Sequence, residues 1–471
     1  MISNFSRPAV LPLALAVLLC GCSLEPKYQR PALPVDNHYD YGTAAASPGN
    51  GADLPWQTFF TDPALRRLIS LSLQNNRDLR VAALNVEEAR SQVQIDRAAL
   101  LPSVNLAASE TAEHIPGGLY NTASTGPVTY HEFDTSLGVT SWELDFFGRL
   151  RSLRDQALEQ YLSLDATRRA TQISLISQVA SGYLSLCADN DLLKLAQDTA
   201  KSQQASYDLT KRGYDGGVNS DQDLAQAETS VRSAQADVAT YTRQVRQDVN
   251  ALRLLAGADL PPGLLSGAGL NKDWRFPATP AGLPSDLLTR RPDILAAEHT
   301  LKASNANIGA ARAAFFPSIT LTAQGGSTSS TLSNLLNGGT AAWTFMPSVN
   351  LPIFDGGVNK ANLAIAKAEN RIEIADYEKT IQTAFKEVGD ALAGQDTYRD
   401  ELKARQQDAA ANQRYFDYAQ LRFHTGVDSY LNVLVAQRSL YAAQQALITT
   451  HLGQLNQQIT LYETLGGGWQ S

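Results

Sequence analysis

The chain has 471 residues, 44% of them hydrophobic, and carries a net charge of −8 at pH 7. That acidic balance, with no long basic run, argues against a nucleic-acid surface. Of the three cysteines only Cys187 lies beyond Cys22, so no disulfide framework is available.

The N-terminus reads as an export address. Arg7, the apolar run from Ala9 to Leu19 and then Leu19-Cys20-Gly21-Cys22 resemble a bacterial lipoprotein signal. The run is too short to span a bilayer as a helix. The resemblance implies that residues 1–21 are removed, that Cys22 becomes the first residue and carries a covalent lipid, and that Ser23 directs the chain to the outer membrane. Cys20 is the weaker site, because large Leu19 precedes it where a small residue is expected. No later stretch approaches the length of apolar sequence that a spanning helix needs.

After an N-terminal segment, 22–75, the chain reads as two copies of one pattern, 76–257 and 291–467. A Pro- and Gly-rich linker, 258–290, joins them, and a short tail, 468–471, follows. Asn76-Arg77-Asp78-Leu79 recurs as Arg291-Pro292-Asp293-Ile294, and Leu101-Pro102-Ser103-Val104 as Phe316-Pro317-Ser318-Ile319, both at an offset of 215. Phe146-Phe147-Gly148 answers Phe354-Asp355-Gly356, Gly217-Val218 answers Gly426-Val427, and Leu255-Ala256-Gly257 answers Leu465-Gly466-Gly467, at offsets of 208 to 210. The first copy therefore holds a longer excursion between its Leu-Pro and Phe-Gly landmarks, expected in its hairpin loop.

Each copy opens with a helix and continues into a predicted β-hairpin, 102–145 or 317–354. Val104, Leu106 and Ala108 alternate with Asn105 and Ala107, and Phe133, Thr135, Leu137 and Val139 with Asp134, Ser136 and Gly138. In the second copy Ile319, Leu321 and Ala323 alternate with Thr320 and Thr322, while Trp343, Phe345, Pro347, Val349, Leu351 and Ile353 all fall on odd positions. These are four segments of about ten residues, the length a tilted strand needs to cross a bilayer. Polar stretches 109–129 and 325–341 read as the loops between them. Four strands do not close a transmembrane barrel, since about eight are the minimum and an open edge in lipid leaves backbone groups unpaired. Other chains must close it, and three copies would give a twelve-stranded barrel. A soluble β-sandwich would need more strands than the sequence offers.

All 20 prolines fall outside the windows 128–260 and 353–471, which permits very long helices. Residues 149–212 and 358–425 are rich in helix formers, so an elongated shape is expected. Each is followed by a glycine turn and a second helix with a seven-residue stripe. The stripes are Leu224, Val231, Val238, Val245 and Leu252, then Leu434, Tyr441, Ile448, Leu455 and Tyr462. Each copy thus holds a helical hairpin with a compact tip, 213–221 or 424–430, where glycine adopts positive φ freely. On the helices alone, an antiparallel coiled coil in a periplasmic scaffold lipoprotein would serve as well; the alternating strands speak against it.

Catalytic readings find little. The six histidines show no paired ligand spacing, no nucleophile motif stands out, and Gly466-Gly467-Gly468 lacks the following helix a phosphate loop requires. No enzyme, metal site or cofactor other than the Cys22 lipid is expected.

Asn75-Asn76-Arg77-Asp78-Leu79, Glu143-Leu144-Asp145-Phe146-Phe147-Gly148-Arg149, Arg290-Arg291-Pro292-Asp293-Ile294, the run Ile308 to Pro317 and Leu465-Gly466-Gly467-Gly468-Trp469 resemble the outer membrane factor, or TolC-like, family. The likeness is to its lipoprotein branch serving resistance-nodulation-division efflux pumps, and it covers essentially the whole chain after the signal. It implies an α+β membrane protein: a homotrimer with a 12-stranded β-barrel, four strands per chain, a long periplasmic α-helical barrel and a mixed equatorial domain. Its partners would be outer-membrane lipid, a periplasmic adaptor and an inner-membrane pump that deliver drugs or other small toxic compounds. A protein-secretion conduit and a copper or silver efflux channel remain open. The resemblance also implies a periplasmic gate just after the second tip, at Leu431, Val435 and Arg438, with Asp221 and Asp223 of the first tip as acids for Arg438 to meet. Val435 stands where relatives carry an acid, so closure by an apolar ring is expected in its place. Gly217, Val218, Gly426 and Val427 would form the tips on which the adaptor docks.

Overall fold

A computed structural model describes residues 23–36, 38–39, 53–116, 126–270, 274, 276–277, 279–280 and 286–469. Residues 1–21, expected to be a signal, Cys22, and parts of the first hairpin loop and of the linker lie outside them. The chain forms two compact units, one from Met1–Pro31, Val86–Ser163 and Ala297–Tyr377, the other from Ala32–Asn85, Leu164–Ala296 and Glu378–Ser471. Each unit takes part of both sequence copies.

Among the described residues the helices are α1 (Trp56–Phe59), α2 (Pro63–Asn75), α3 (Arg77–Ala98), α4 (Arg149–Asp215), α5 (Asp221–Ala256), α6 (Leu287–Arg290), α7 (Pro292–Ala313), α8 (Val358–His424) and α9 (Tyr430–Thr464). α4 and α8 have 67 residues each, close to the proline-free stretches read from the sequence. Acids just upstream start both of them: Asp145 accepts from the backbone N–H of Leu150 and Arg151, and Asp355 from that of Gly357 and Asn359. A carboxylate there satisfies the unpaired donors of the first turn and complements the helix dipole.

The first unit carries one antiparallel sheet in the order β1 (Val104–Ile115), β2 (Val128–Glu143), β3 (Ser318–Ser329) and β4 (Ala341–Asn350). The strands run further than the apolar alternation predicts. Ser109 to Ile115, read as loop, pair residue by residue with Asp134 back to Val128, and Gly325 to Ser327 with Trp343 back to Ala341. A ladder needs only backbone groups, whereas the alternation signal needs apolar side chains. The extra length of the first copy also lies elsewhere than in its loop. β2 has 16 residues against 10 in β4, with a register shift between Val139 and Trp142 where Ser141 takes φ 56°. Among the described residues β1 pairs only with β2 and β4 only with β3, so each presents one open edge. Trp343, Phe345 and Val349 of β4 are exposed at 80%, 61% and 65%.

In the same unit residues 23–31 run as a strap along α7. Arg312 donates to Leu24 O at 3.0 Å, Asn305 to Pro26 O at 2.7 Å, and Arg30 forks onto Glu298 at 2.7 and 2.9 Å. Burial alone would raise the Glu298 carboxyl, but hydrogen bonding from Arg30 and the charge of Lys302 bring it below the usual range. It stays ionised and grips the strap.

The second unit is held by an aromatic core. Phe59 stacks between Tyr462, 4.0 Å between centroids, and Phe276 at 5.0 Å, with Phe60 edge-on, and Tyr183, Leu252 and Ile459 are buried with them. Each such side chain contributes about 1.5–3 kcal/mol on burial. All ten residues of the two heptad stripes are buried or half-buried, which is why the stripe repeats. Each second helix ends against the start of the first helix of its copy. A Cβ on Gly257, φ 63°, would lie 2.3 Å from Asn75 O, and one on Gly466, φ 86°, 2.7 Å from Arg290 O.

Candidate functional site: the hairpin tips and the start of α9

At the first tip the N–H groups of residues 216, 217, 218 and 219 donate to the carbonyls of Arg212, Tyr214, Gly213 and Gly213. At the second, 209 residues on, those of 425, 426, 427 and 428 donate to Leu421, Phe423, Arg422 and Arg422. The two turns make the same four bonds. Gly217 and Gly426 sit at φ 73° and 75°, and a Cβ on either would meet nothing within 4 Å. Val218 and Val427 stand outward, 83% and 60% exposed.

Side chains differ where the backbone does not. Asn219 donates to Thr210 O at 2.9 Å, and Ser220 begins α5 through a capping box with Asp223. Hydrogen bonds from the Ser220 side chain and backbone hold the Asp223 carboxyl below its usual range. Asp221 accepts from the Tyr214 hydroxyl, whose pKa it raises. At the second tip Asp428 occupies the place of Asn219, and Arg422 closes on it at 2.5 and 3.2 Å, lowering the Asp428 pKa. Asn432 replaces Asp223, and α9 starts with no side-chain cap. These clamps went unseen in the sequence; the polar pair Asn219 and Asp428 directly after Gly-Val is the signal that could have found them.

The first turns of α9 have three faces. Val433 and Ala436 pack with Ala419, Phe416 and Phe423 of α8, while Gln437 donates to Ser202 of α4 at 2.9 Å. The remaining face holds Leu431, Val435 and Arg438, all exposed, the first two at 51% and 41%. Burial of two faces thus leaves the predicted gate residues together on the third. Among the described residues Arg438 has no ion-pair partner within the chain, and Asp221 and Asp223 are engaged beside their own tip.

The sequence profile of the outer membrane efflux protein family matches residues 68–258 and 283–467. The chain belongs to this family. This efflux protein is 48% identical to the toluene efflux pump outer membrane protein TtgC of Pseudomonas putida, over 96% of the chain and 94% of that protein. The antibiotic efflux pump outer membrane protein ArpC of Pseudomonas putida is equally similar, with the same coverage. Among solved structures, the open-state MtrE outer membrane channel of Neisseria gonorrhoeae superposes with a TM-score of 0.87 at 37% identity, covering 95% of this chain and 99% of that one. The efflux protein is an outer-membrane channel component of an efflux system, and its family is not one of enzymes.

Proposed function

We propose that three copies of this efflux protein close one channel, which takes antibiotics, solvents or similarly small toxic compounds from a periplasmic adaptor and an inner-membrane resistance-nodulation-division pump to the exterior. The observation that carries this reading is the four-stranded sheet with an open edge at each side. Unpaired backbone in lipid costs several kcal/mol per group, so the edge of β4 calls for the β1 edge of a neighbour. Twelve strands close a barrel, and four long helices from each chain line a periplasmic conduit. The substrate class follows the names of the relatives.

Closure falls to Leu431 and Val435, whose side chains are exposed on α9. Repeated three times they make an apolar constriction that shuts by packing and dewetting, with Arg438 one turn further on to meet an acid of a neighbouring chain. Gly217, Val218, Gly426 and Val427 offer bare, outward turns for an adaptor hairpin. A covalent lipid on Cys22 belongs to the same reading, and the strap that follows it is held in the sheet-bearing unit, where Leu24 is tied to Arg312 at the end of α7, six residues before Ser318 opens β3.

Chemical crosslinking of the purified full chain in detergent tests the assembly. Three copies per particle are expected; a particle of two or four would overturn it.

A further inference from the structure

At the foot of the sheet the first unit holds a cavity of about 350 Å³. It lies where β2 ends and β3 begins: Leu144 N–H donates to Ile319 O there at 2.8 Å, and α4 and α8 start just beyond. One wall is apolar. Phe147 stacks on Phe316 with 4.8 Å between ring centroids, and Pro317 and Pro352 extend that surface. Ile353 and Phe354, between the lining residues Pro352 and Asp355, are almost wholly exposed.

The other wall carries charge that is incompletely matched. Arg149 donates from Nε and Nη2 to Glu143 at 2.9 and 2.5 Å, which leaves its Nη1 amino group without a partner among the described residues. Asp145 is answered by Arg151 at 3.0 Å. Asp355 accepts from the backbone N–H groups of Gly357 and Asn359, both at 2.8 Å, and among the described residues no cation pairs with it. The cavity thus offers a guanidinium donor, an uncompensated carboxylate whose oxygens can each accept again, and a stack of rings.

We propose that this cavity binds the headgroup of a phospholipid bearing a primary ammonium. Arg149 takes its phosphate, Asp355 takes its ammonium, and the wall of Phe147 and Phe316 meets its first acyl carbons. A phosphate or an amine alone would leave the stacked rings facing water, whereas an amphiphile covers both walls. The lining holds Glu143, Asp145 and Asp355 against Arg149, so a headgroup that is only anionic is repelled and a zwitterionic one is not. The place suits the same occupant. With the sheet in the outer membrane and the helices in the periplasm, the foot of the sheet falls in the leaflet interface, where aromatic side chains collect beside headgroups. That last step rests on the channel reading; the chemistry of the two walls does not.

Native mass spectrometry of the purified full chain in detergent tests the site, with phosphatidylethanolamine and phosphatidylglycerol of identical acyl chains as probes. The wild type should hold the ethanolamine lipid at least about tenfold more tightly than the glycerol lipid. Asp355→Asn keeps an acceptor for the first turn of α8 but removes the charge, and should abolish that preference. Arg149→Gln should weaken both lipids. Equal retention of the two lipids by the wild type, a preference unchanged in Asp355→Asn, or no lipid retained because a neighbouring chain fills the cavity would each overturn the site. If Arg149→Gln fails to fold, the wild type and Asp355→Asn still decide. The same spectra count the chains: trimers with no lipid preference would sink the site and leave the channel reading, and a preference kept by a particle of another size would do the reverse.

Discussion

The first tip hangs from Asn219 and starts its second helix on the Ser220 and Asp223 box; the second is closed by Arg422 on Asp428 and starts α9 with no side-chain cap. Beneath these differences run the same four backbone hydrogen bonds and the same left-handed glycine. The turn is set by backbone geometry alone, through residues that tolerate positive φ, and the side chains around it are free to specialise. The same division recurs at the level where Asp189 and Asp248 of the first hairpin are replaced by Tyr398 and Gln457 in the second. In a ring of three chains, hairpins of equal backbone would alternate in side-chain chemistry.

The largest effect should come from breaking what the tips share. Replacing Gly217 or Gly426 by Trp places a side chain in space that is empty within the chain, at a backbone strain of about 1–2 kcal/mol. The fold and the crosslinked particle should survive while efflux in a deletion strain falls at least about tenfold, a coupling loss of about 1.4 kcal/mol. Retained efflux would show that the tips do not carry the docking. A smaller effect sharpens what they do not share. Ser220→Ala removes the capping box at a cost of about 1 kcal/mol, and the amides of the first turn of α5 should exchange faster with solvent. Ser429→Ala, at the matching position of α9, removes no side-chain cap and should change little. Equal effects at both sites would contradict the asymmetry.

Much of this was legible in the sequence. Proline-free stretches and heptad stripes mark the long helices within a few residues, because helix formers and a buried face leave a periodic trace. Strand ends were not legible, since Glu110, Thr111 and Ala112 pair through backbone and carry no apolar alternation. That Leu431, Val435 and Arg438 fall on one side of α9 was legible from their i, i+4 and i+7 spacing, and the structure leaves that side exposed. Partners fixed only by folding were not: the strap grip of Arg30 on Glu298 and the Arg422 clamp on Asp428 join residues whose types alone imply nothing.

Single-channel recording of the full chain in planar bilayers, wild type beside Val435→Asp, tests most directly whether these chains form a conduit shut by an apolar ring. The wild type should insert as a pore that is mostly closed, and the aspartate variant should pass more current with stronger preference for cations. A wild type that never conducts, or two channels indistinguishable in conductance and selectivity, would contradict it.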